Sequence, residues 1–321
     1  MRFDSKKIQM KNILITGGAG FIGSALAEKL LQNPENFIVI ADNLLTGDLR
    51  KLPSGHEGRM RFIKCDVNDY RDIAEVMHSF HFDYIFHFAA IVGVHRTQQN
   101  PVKVLSDLKG IENILNLSKN SEIKRVFFSS SSEVYGEPTE LPQNEQTTPL
   151  NSRIPYAVVK NAGEAFLRSY KKEFDLDYTI FRFFNTYGNK QSIDFVMSRF
   201  INLALKNQNL TIYGNGMQKR TFCFIDDNVD SCVNALYKEQ IVNDVVNIGG
   251  ENEITMLELA KKIIKITKSK SRIVFLPSLE EGDMLRRLPD ISKMKNLLKR
   301  DLIDLDTGIK RILANPEFIV K

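Results

Sequence analysis

Short runs of β-branched and aromatic residues alternate with longer amphipathic stretches over residues 12–183, and few folds accept that rhythm. The runs 12–16, 37–41, 61–64, 84–88, 125–129 and 178–183 read as strands. They are too uniformly apolar to leave one face wet, which points to an α/β fold whose parallel sheet is covered by helices on both sides. Covering helices are expected at 22–32, 69–78, 100–120 and 155–174; in the last, Val159, Ala162, Gly163, Phe166, Tyr170 and Phe174 recur at helical spacing. After Asn185 the alternation weakens, and Gly, Asn and Pro punctuate the chain, as in Tyr213-Gly214-Asn215-Gly216. Two excursions, 186–224 and 251–321, read as a smaller C-terminal lobe, while a helix at 226–237 and a strand at 245–248 return to the main sheet. The expected division is 1–185 with 225–250 in the sheet domain and both excursions in the second lobe, because single cores stop growing beyond about 250 residues.

Thr16-Gly17-Gly18-Ala19-Gly20-Phe21-Ile22-Gly23 follows the first strand directly and opens the first helix. Glycine at 17, 20 and 23 permits a tight turn and a close approach to a pyrophosphate, whose charge the helix N-terminus then stabilises. This strand, turn and helix mark a Rossmann-type doubly wound sheet, with Gly17, Gly20, Phe21, Ile22 and Gly23 set against a dinucleotide. Asp42 ends the second strand, where a carboxylate can accept hydrogen bonds from the ribose hydroxyls and would repel a 2′-phosphate. NAD is therefore expected rather than NADP. Asn43 stands beside Asp42; Asp66 and Val67, after the third strand, are expected at the adenine edge. Phe88, Ala89 and Ala90 end the fourth strand with room for a cofactor, and His87 before them is expected in the core.

Composition removes other classes. Forty-four Lys and Arg against thirty-nine Asp and Glu give +5, a mild bias over 321 residues rather than a nucleic-acid footprint. Cys65, Cys223 and Cys232 are widely spaced, with no His at ligand spacing, so neither a disulfide framework nor a metal site is expected, and a cytoplasmic location is. No apolar run approaches the length of a membrane span, and the first eleven residues carry no apolar targeting segment.

Tyr156 and Lys160 lie four apart on an expected helix, so both side chains share a face. A free phenol has a pKa near ~10 and is a poor base at neutral pH. A neighbouring ammonium is expected to lower that value, so that Tyr156 can take the proton of a sugar hydroxyl while hydride leaves the same carbon. Ser129-Ser130-Ser131-Ser132-Glu133-Val134-Tyr135-Gly136 follows the fifth strand, at the carboxyl edge where doubly wound sheets bind ligands. On extended backbone Ser131 and Glu133 would face the same side.

Together with Arg182-Phe183-Phe184-Asn185, Gly214-Asn215-Gly216, Arg220-Thr221-Phe222 and Arg286-Arg287-Leu288-Pro289-Asp290, these motifs resemble the extended short-chain dehydrogenase/reductases, specifically the NAD-dependent nucleotide-sugar epimerases, dehydratases and decarboxylases. The resemblance spans nearly the whole chain. It implies Ser131, Tyr156 and Lys160 as a catalytic triad with Glu133 as auxiliary acid or base, cofactor contacts extending to Phe183, and, for a nucleotide-diphosphate sugar, Asn185 and Arg220 as ligands of the diphosphate with Arg287 at the nucleotide end. It also implies a homodimer built on the helices at 100–120 and 155–174, and a place in surface polysaccharide synthesis. The shared first step is oxidation of the sugar C4 hydroxyl. Completion as a 4-epimerase or a 4-dehydrogenase is the preferred expectation, with a UDP-glucuronate-type decarboxylase next and a 4,6-dehydratase after it. Ser132-Glu133 replaces the Asp-Glu typical of dehydratases, and Ala157-Val158-Val159 replaces the acidic pair usual in decarboxylases. Asp107 stands where relatives usually carry Asn, read as a helix-capping change. The alternative from another class, a non-catalytic NAD-binding sensor, would be expected to lose Tyr156 or Lys160.

Overall fold

The computed structural model describes residues 10–278 and 286–318. The first half forms β1 (Lys11–Thr16), α1 (Phe21–Leu30), β2 (Asn36–Asp42), β3 (Met60–Lys64), α2 (Tyr70–Ser79), β4 (Tyr84–His87), α3 (Val94–Gln99), α4 (Pro101–Leu105), α5 (Asp107–Ser118), β5 (Arg125–Ser131), α6 (Pro155–Phe174) and β6 (Tyr178–Phe183). The remainder forms β7 (Thr186–Tyr187), α7 (Val196–Leu205), β8 (Leu210–Tyr213), β9 (Lys219–Arg220), β10 (Cys223–Phe224), α8 (Ile225–Tyr237), β11 (Asp244–Ile248), β12 (Ile254–Thr255), α9 (Met256–Thr267), β13 (Ile273–Leu276), α10 (Ser292–Leu298) and α11 (Leu305–Ala314).

Seven strands make one parallel sheet in the order β11-β6-β5-β4-β1-β2-β3. Alternation within each strand divides the core. Ile13, Ile15, Phe86, Phe127 and Phe181 face α1 and α8, whereas Leu14, Ile85, Val126, Phe128 and Ile180 face α2, α5 and α6. On the first face the rings of Phe86, Phe127 and Phe181, from three neighbouring strands, lie parallel with centroids 4.3 and 6.1 Å apart. The same apolar cluster continues through Ile212 on β8, Leu259 on α9, Met294 on α10 and Ile309 on α11. The later elements therefore pack on the sheet's first face. Among the described residues no helix is long and apolar enough to cross a membrane.

The structure departs from the sequence reading at one helix. The stretch 100–120 is broken into α4 and α5 at Ser106, whose hydroxyl donates to the Lys103 carbonyl at 2.6 Å. A serine hydroxyl in that position competes with the backbone ladder and favours the break. Asp107 opens α5, but its side chain does not cap the helix; the contacts it makes instead are described below.

A buried polar network ties α6 to the sheet. Arg182 on β6 gives two hydrogen bonds, 2.8 and 2.7 Å, to the two carboxylate oxygens of Glu164 on α6, and both side chains are almost wholly buried. Glu164 also accepts from the Ser130 hydroxyl at 2.6 Å. The third Arg182 nitrogen donates to the Tyr135 hydroxyl, which donates to Asn247 on β11, both at 2.8 Å. The Asn247 amide reaches the carbonyls of Gln143 and Asp290, at 2.9 and 3.2 Å. Removing one partner of a buried ion pair strands the other charge away from water. Replacing Arg182 with Met is therefore expected to cost about 3–5 kcal/mol in urea denaturation; a midpoint and slope equal to the parent's would refute that role.

Candidate active site

The carboxyl ends of the central strands open into one cavity of about 730 Å³. Gly17, Gly20, Phe21, Ile22 and Gly23 form its floor. Gly17 has φ +69°, and a Cβ there would lie 2.7 Å from the Ala89 nitrogen; at Gly23 it would lie 2.5 Å from the Gly17 carbonyl. No side chain caps α1. Its first N–H groups, which have no partner within the helix, are thus left for a ligand, the arrangement a pyrophosphate requires.

At the adenosine end, Asp42 is 7% exposed and accepts from Ala19 N at 3.0 Å and Leu44 N at 2.8 Å. Burial pushes its carboxyl up while the two N–H donors and Lys51 oppose the rise. Asn43 donates to Asp66 at 3.1 Å, so the two expected adenosine contacts are coupled, and Val67 lies beside them on the cavity wall. Phe88, Ala89, Ala90 and Phe183 line the far end, where the rings of Phe88 and Phe183 meet edge to face at 5.6 Å. His87 is buried in the core, its ring bonded to the Thr16 hydroxyl at 2.8 Å; burial, then the Lys160 charge, hold it neutral with a pKa of about 3.

Tyr156, Lys160 and Glu164 are spaced four apart along α6 and share its inward face. Lys160 is 2% exposed, and its ammonium donates to the Ser129 hydroxyl at 3.3 Å, 4.9 Å from the Phe128 ring centroid and 5.7 Å from that of Tyr156. Burial brings its pKa down to about 8, against the pull of Asp107. The Tyr156 hydroxyl is hydrogen-bonded to Ser131. The expected lowering of the phenol is not found in the protein alone. Burial, then the Glu133 charge, push Tyr156 up, opposed by the bond to Ser131.

The Ser run is not a loose polar turn, because Ser129, Ser130 and Ser131 complete β5 and are buried. From Ser132 to Tyr135 the backbone is a 3-10 turn, so Glu133 is not on extended backbone as expected. Ser131 caps that turn, accepting from Glu133 N at 3.2 Å, and both side chains still line the cavity. Arg287, 6% exposed, reaches the same place from the C-terminal segment and pairs with Glu133 at 2.8 Å. Asn185 lines the cavity with its amide donating to the Thr221 carbonyl at 3.0 Å. Arg220 does not join them. It is buried in β9, donates to the Lys219 carbonyl at 2.9 Å and is absent from the cavity wall formed by the described residues. Sequence reasoning missed Ser129 as the Lys160 partner, and it missed Arg96 and Lys103, which bring positive charge to the wall between β4 and α5. No motif marks those two cations.

An alanine at Gly17 combines a left-handed backbone with a clash against main chain. It is expected to weaken NAD binding at least about tenfold, the left-handed strain alone being roughly 1–2 kcal/mol. Titration calorimetry giving an unchanged Kd would place the pyrophosphate elsewhere.

Residues 13–249 match the NAD dependent epimerase/dehydratase family. The chain is 36% identical to UDP-glucuronic acid decarboxylase 6 of Arabidopsis thaliana, over 89% of this chain and 82% of that protein. It is 34% identical to a putative UDP-glucose 4-epimerase of Methanocaldococcus jannaschii, over 94% of this chain and 97% of the other. The crystal structure of UDP-glucuronic acid 4-epimerase from Bacillus cereus, solved with UDP-glucuronic acid and NAD, superposes with a TM-score of 0.85 at 30% identity, covering 96% of this chain and 98% of that one. The glycine turn, Asp42 and the Tyr156/Lys160 pair line one cavity, and the chain belongs to the NAD-dependent epimerase/dehydratase family, with NAD as its cofactor.

Proposed function

We propose that this protein oxidises C4 of a UDP-sugar whose C6 is a carboxylate, and that the resulting 4-keto acid loses carbon dioxide. The observation that carries this reading is the Arg287–Glu133 pair at the sugar end of the cavity, beside Ser131 and Tyr156. A buried guanidinium is matched to a carboxylate by charge and by paired N–H donors, whereas a neutral hexose offers it only hydroxyls. Relatives named for UDP-glucuronic acid, one a decarboxylase and one an epimerase, support the same substrate class. The Ala157-Val158-Val159 departure does not weigh against decarboxylation, because none of the three lines the cavity.

Tyr156 takes the proton of the C4 hydroxyl, whose oxygen Ser131 holds by its own hydroxyl. NAD, when bound, supplies the acceptor for the C4 hydride and a positive charge that favours the phenolate. Lys160 adds its charge from below. Arg287 orients the carboxylate at C6, and Glu133 keeps the guanidinium in register. The keto group at C4 lies β to that carboxylate, so the C5–C6 electron pair passes into the ring carbonyl as carbon dioxide leaves, and a proton is then returned to C5; return of the hydride to C4 and of the Tyr156 proton to its oxygen then gives the pentose with no net oxidation. A second reading, 4-epimerisation of the same uronate, is favoured by the likeness to the Bacillus cereus enzyme and requires the carboxylate to stay on the ring.

Incubation with NAD and either UDP-glucuronate or UDP-glucose, followed by mass spectrometry and NMR of the sugar, separates these readings. A UDP-pentose from the uronate is expected. A UDP-galacturonate product would support epimerisation, and one NADH per ketone released would support a 4-dehydrogenase; turnover of UDP-glucose alone would overturn the uronate reading. Tyr156→Phe is expected to reduce turnover about 10²–10⁴-fold with NAD affinity retained, and full activity in that variant would remove Tyr156 as the base.

The proposal extends to a homodimer. Val102 and Leu105 on α4 and Val158 and Phe174 on α6 are exposed large apolar side chains, at 80, 41, 41 and 39%. A patch of this kind marks an interface, and a second copy placing the same two helices against it would cover it symmetrically. Val102→Glu with Val158→Glu is expected to convert a dimer into a monomer in light scattering; an unchanged mass would move the interface elsewhere.

A further inference from the structure

The mechanism above leaves one buried charge in the cavity without a task. Asp107, the first residue of α5, is 8% exposed and lines the same cavity as Tyr156 and Lys160. Its carboxylate accepts from Ile91 N at 2.8 Å and from the Asn68 amide at 3.2 Å, and Asn68 is itself oriented by accepting from Gly110 N at 3.0 Å. Both donors are neutral. They fix the side chain without cancelling its charge, and the cation within electrostatic reach is Lys160.

We propose that Asp107 is a positioning residue for proton transfer, the counter-charge across the cofactor cavity that keeps the buried Lys160 side chain an ammonium. The inference rests on the Tyr156/Lys160 reading of the site. Lys160 has neutral company otherwise: the Ser129 hydroxyl and the faces of Phe128 and Tyr156. His87, facing it from β4, stays uncharged. Glu164, one turn along α6, is committed to Arg182, and Glu133, beyond Tyr156, to Arg287. Asp107 is therefore the carboxylate left to offset the cost of burying the ammonium, which burial pushes toward the neutral amine. The same charge also opposes the Tyr156 phenolate. It thus acts on both members of the pair in the same direction, favouring protonated Lys160 and protonated Tyr156 alike.

The signs give a signature. Asp107→Asn removes a negative charge, so Lys160 loses its proton at lower pH and Tyr156 does so too. A residue that merely held α5 in place would scale activity without moving either titration. The substrate-independent test is competitive labelling of the protein with trace acetic anhydride across pH, reading the Lys160 peptide by mass spectrometry. The midpoint is expected to fall by about one pH unit in Asp107→Asn, with Lys261 on the surface unmoved. Because the amide introduced by that substitution would confront the Asn68 amide, the exchange variant Asn68→Asp with Asp107→Asn is measured beside it. It retains every hydrogen bond while shifting the charge away from position 107, and its midpoint is expected to fall as well, though by less. Midpoints equal to the parent's in both variants overturn the inference. The pH profile of UDP-pentose formation from UDP-glucuronate should then show both limbs displaced to lower pH in Asp107→Asn; limbs that stay put while the rate drops at every pH count against it. Should Tyr156→Phe retain turnover, the parent reading fails on that result alone, whereas a dead Tyr156→Phe with unmoved Lys160 midpoints defeats only the role of Asp107.

Discussion

The ion pair between Glu164 and Arg182, closed off beneath the carboxyl edge of the sheet, sets the positions of the groups above it. Glu164 lies one turn beyond Lys160 and two beyond Tyr156 on the same face of α6, so fixing its carboxylate fixes the rotation of the helix that presents both. The same carboxylate holds Ser130, next to Ser131 at the end of β5. Arg182 in turn holds Tyr135, which ends the turn carrying Glu133. A charge pair in this place is a weak source of net stability, since hydrophobic replacements often do as well. Its value is orientation: the groups that meet at the reacting carbon arrive from β5, α6 and the 3-10 turn, and one buried network constrains all three.

Above that network several charged groups are buried together, which makes their interactions strong and their titrations interdependent. Burial pushes Lys160 down and Tyr156 up, so neither is in its working state by default. The two carboxylates that reach the pair act differently. Glu133 is balanced by Arg287 within 2.8 Å, while Asp107 has only amide donors, lines the same cavity as Lys160 and acts on it through its charge. The protein alone thus holds a protonated phenol. On the proposed mechanism the positive charge that draws its proton off would come with the oxidised cofactor, which would tie proton transfer to the presence of the hydride acceptor.

Much of this was legible in the sequence because it is local. Strands with two apolar faces, the glycine turn after β1 and the i, i+4 pair on α6 follow from spacing alone, and the boundaries of α6 matched at both ends. The readings that failed depended on backbone geometry or distant partners. Ser131 and Glu133 were expected on extended chain, but the strand ends at Ser131 and a 3-10 turn begins. The helix expected through 100–120 breaks because one serine hydroxyl bonds back to Lys103. The meeting of Arg287 with Glu133 could not be read from spacing, since a sequence separation of that size leaves register unspecified.

That last meeting separates chemistry from selection. Tyr156, Lys160 and Ser131 sit on elements buried on the sheet, whereas Arg287 rides on a segment joined to the rest by strand-like bonds, Gln143 N to Leu288 O at 2.7 Å and Asp290 N to Gln143 O at 2.8 Å. Backbone bonds of this kind set the path of the chain without dictating which side chains it carries. On the proposed reading a change at Arg287 would therefore alter what the sugar end accepts, and would leave Glu133 without its ion-pair partner, while the glycine turn, Asp42 and the phenol stay in place. A hydrophobic core cannot be edited so freely, because its side chains are packed on all sides. On that reading the side chain that selects the substrate lies on a different segment from the pair that moves the proton, so the two can vary separately.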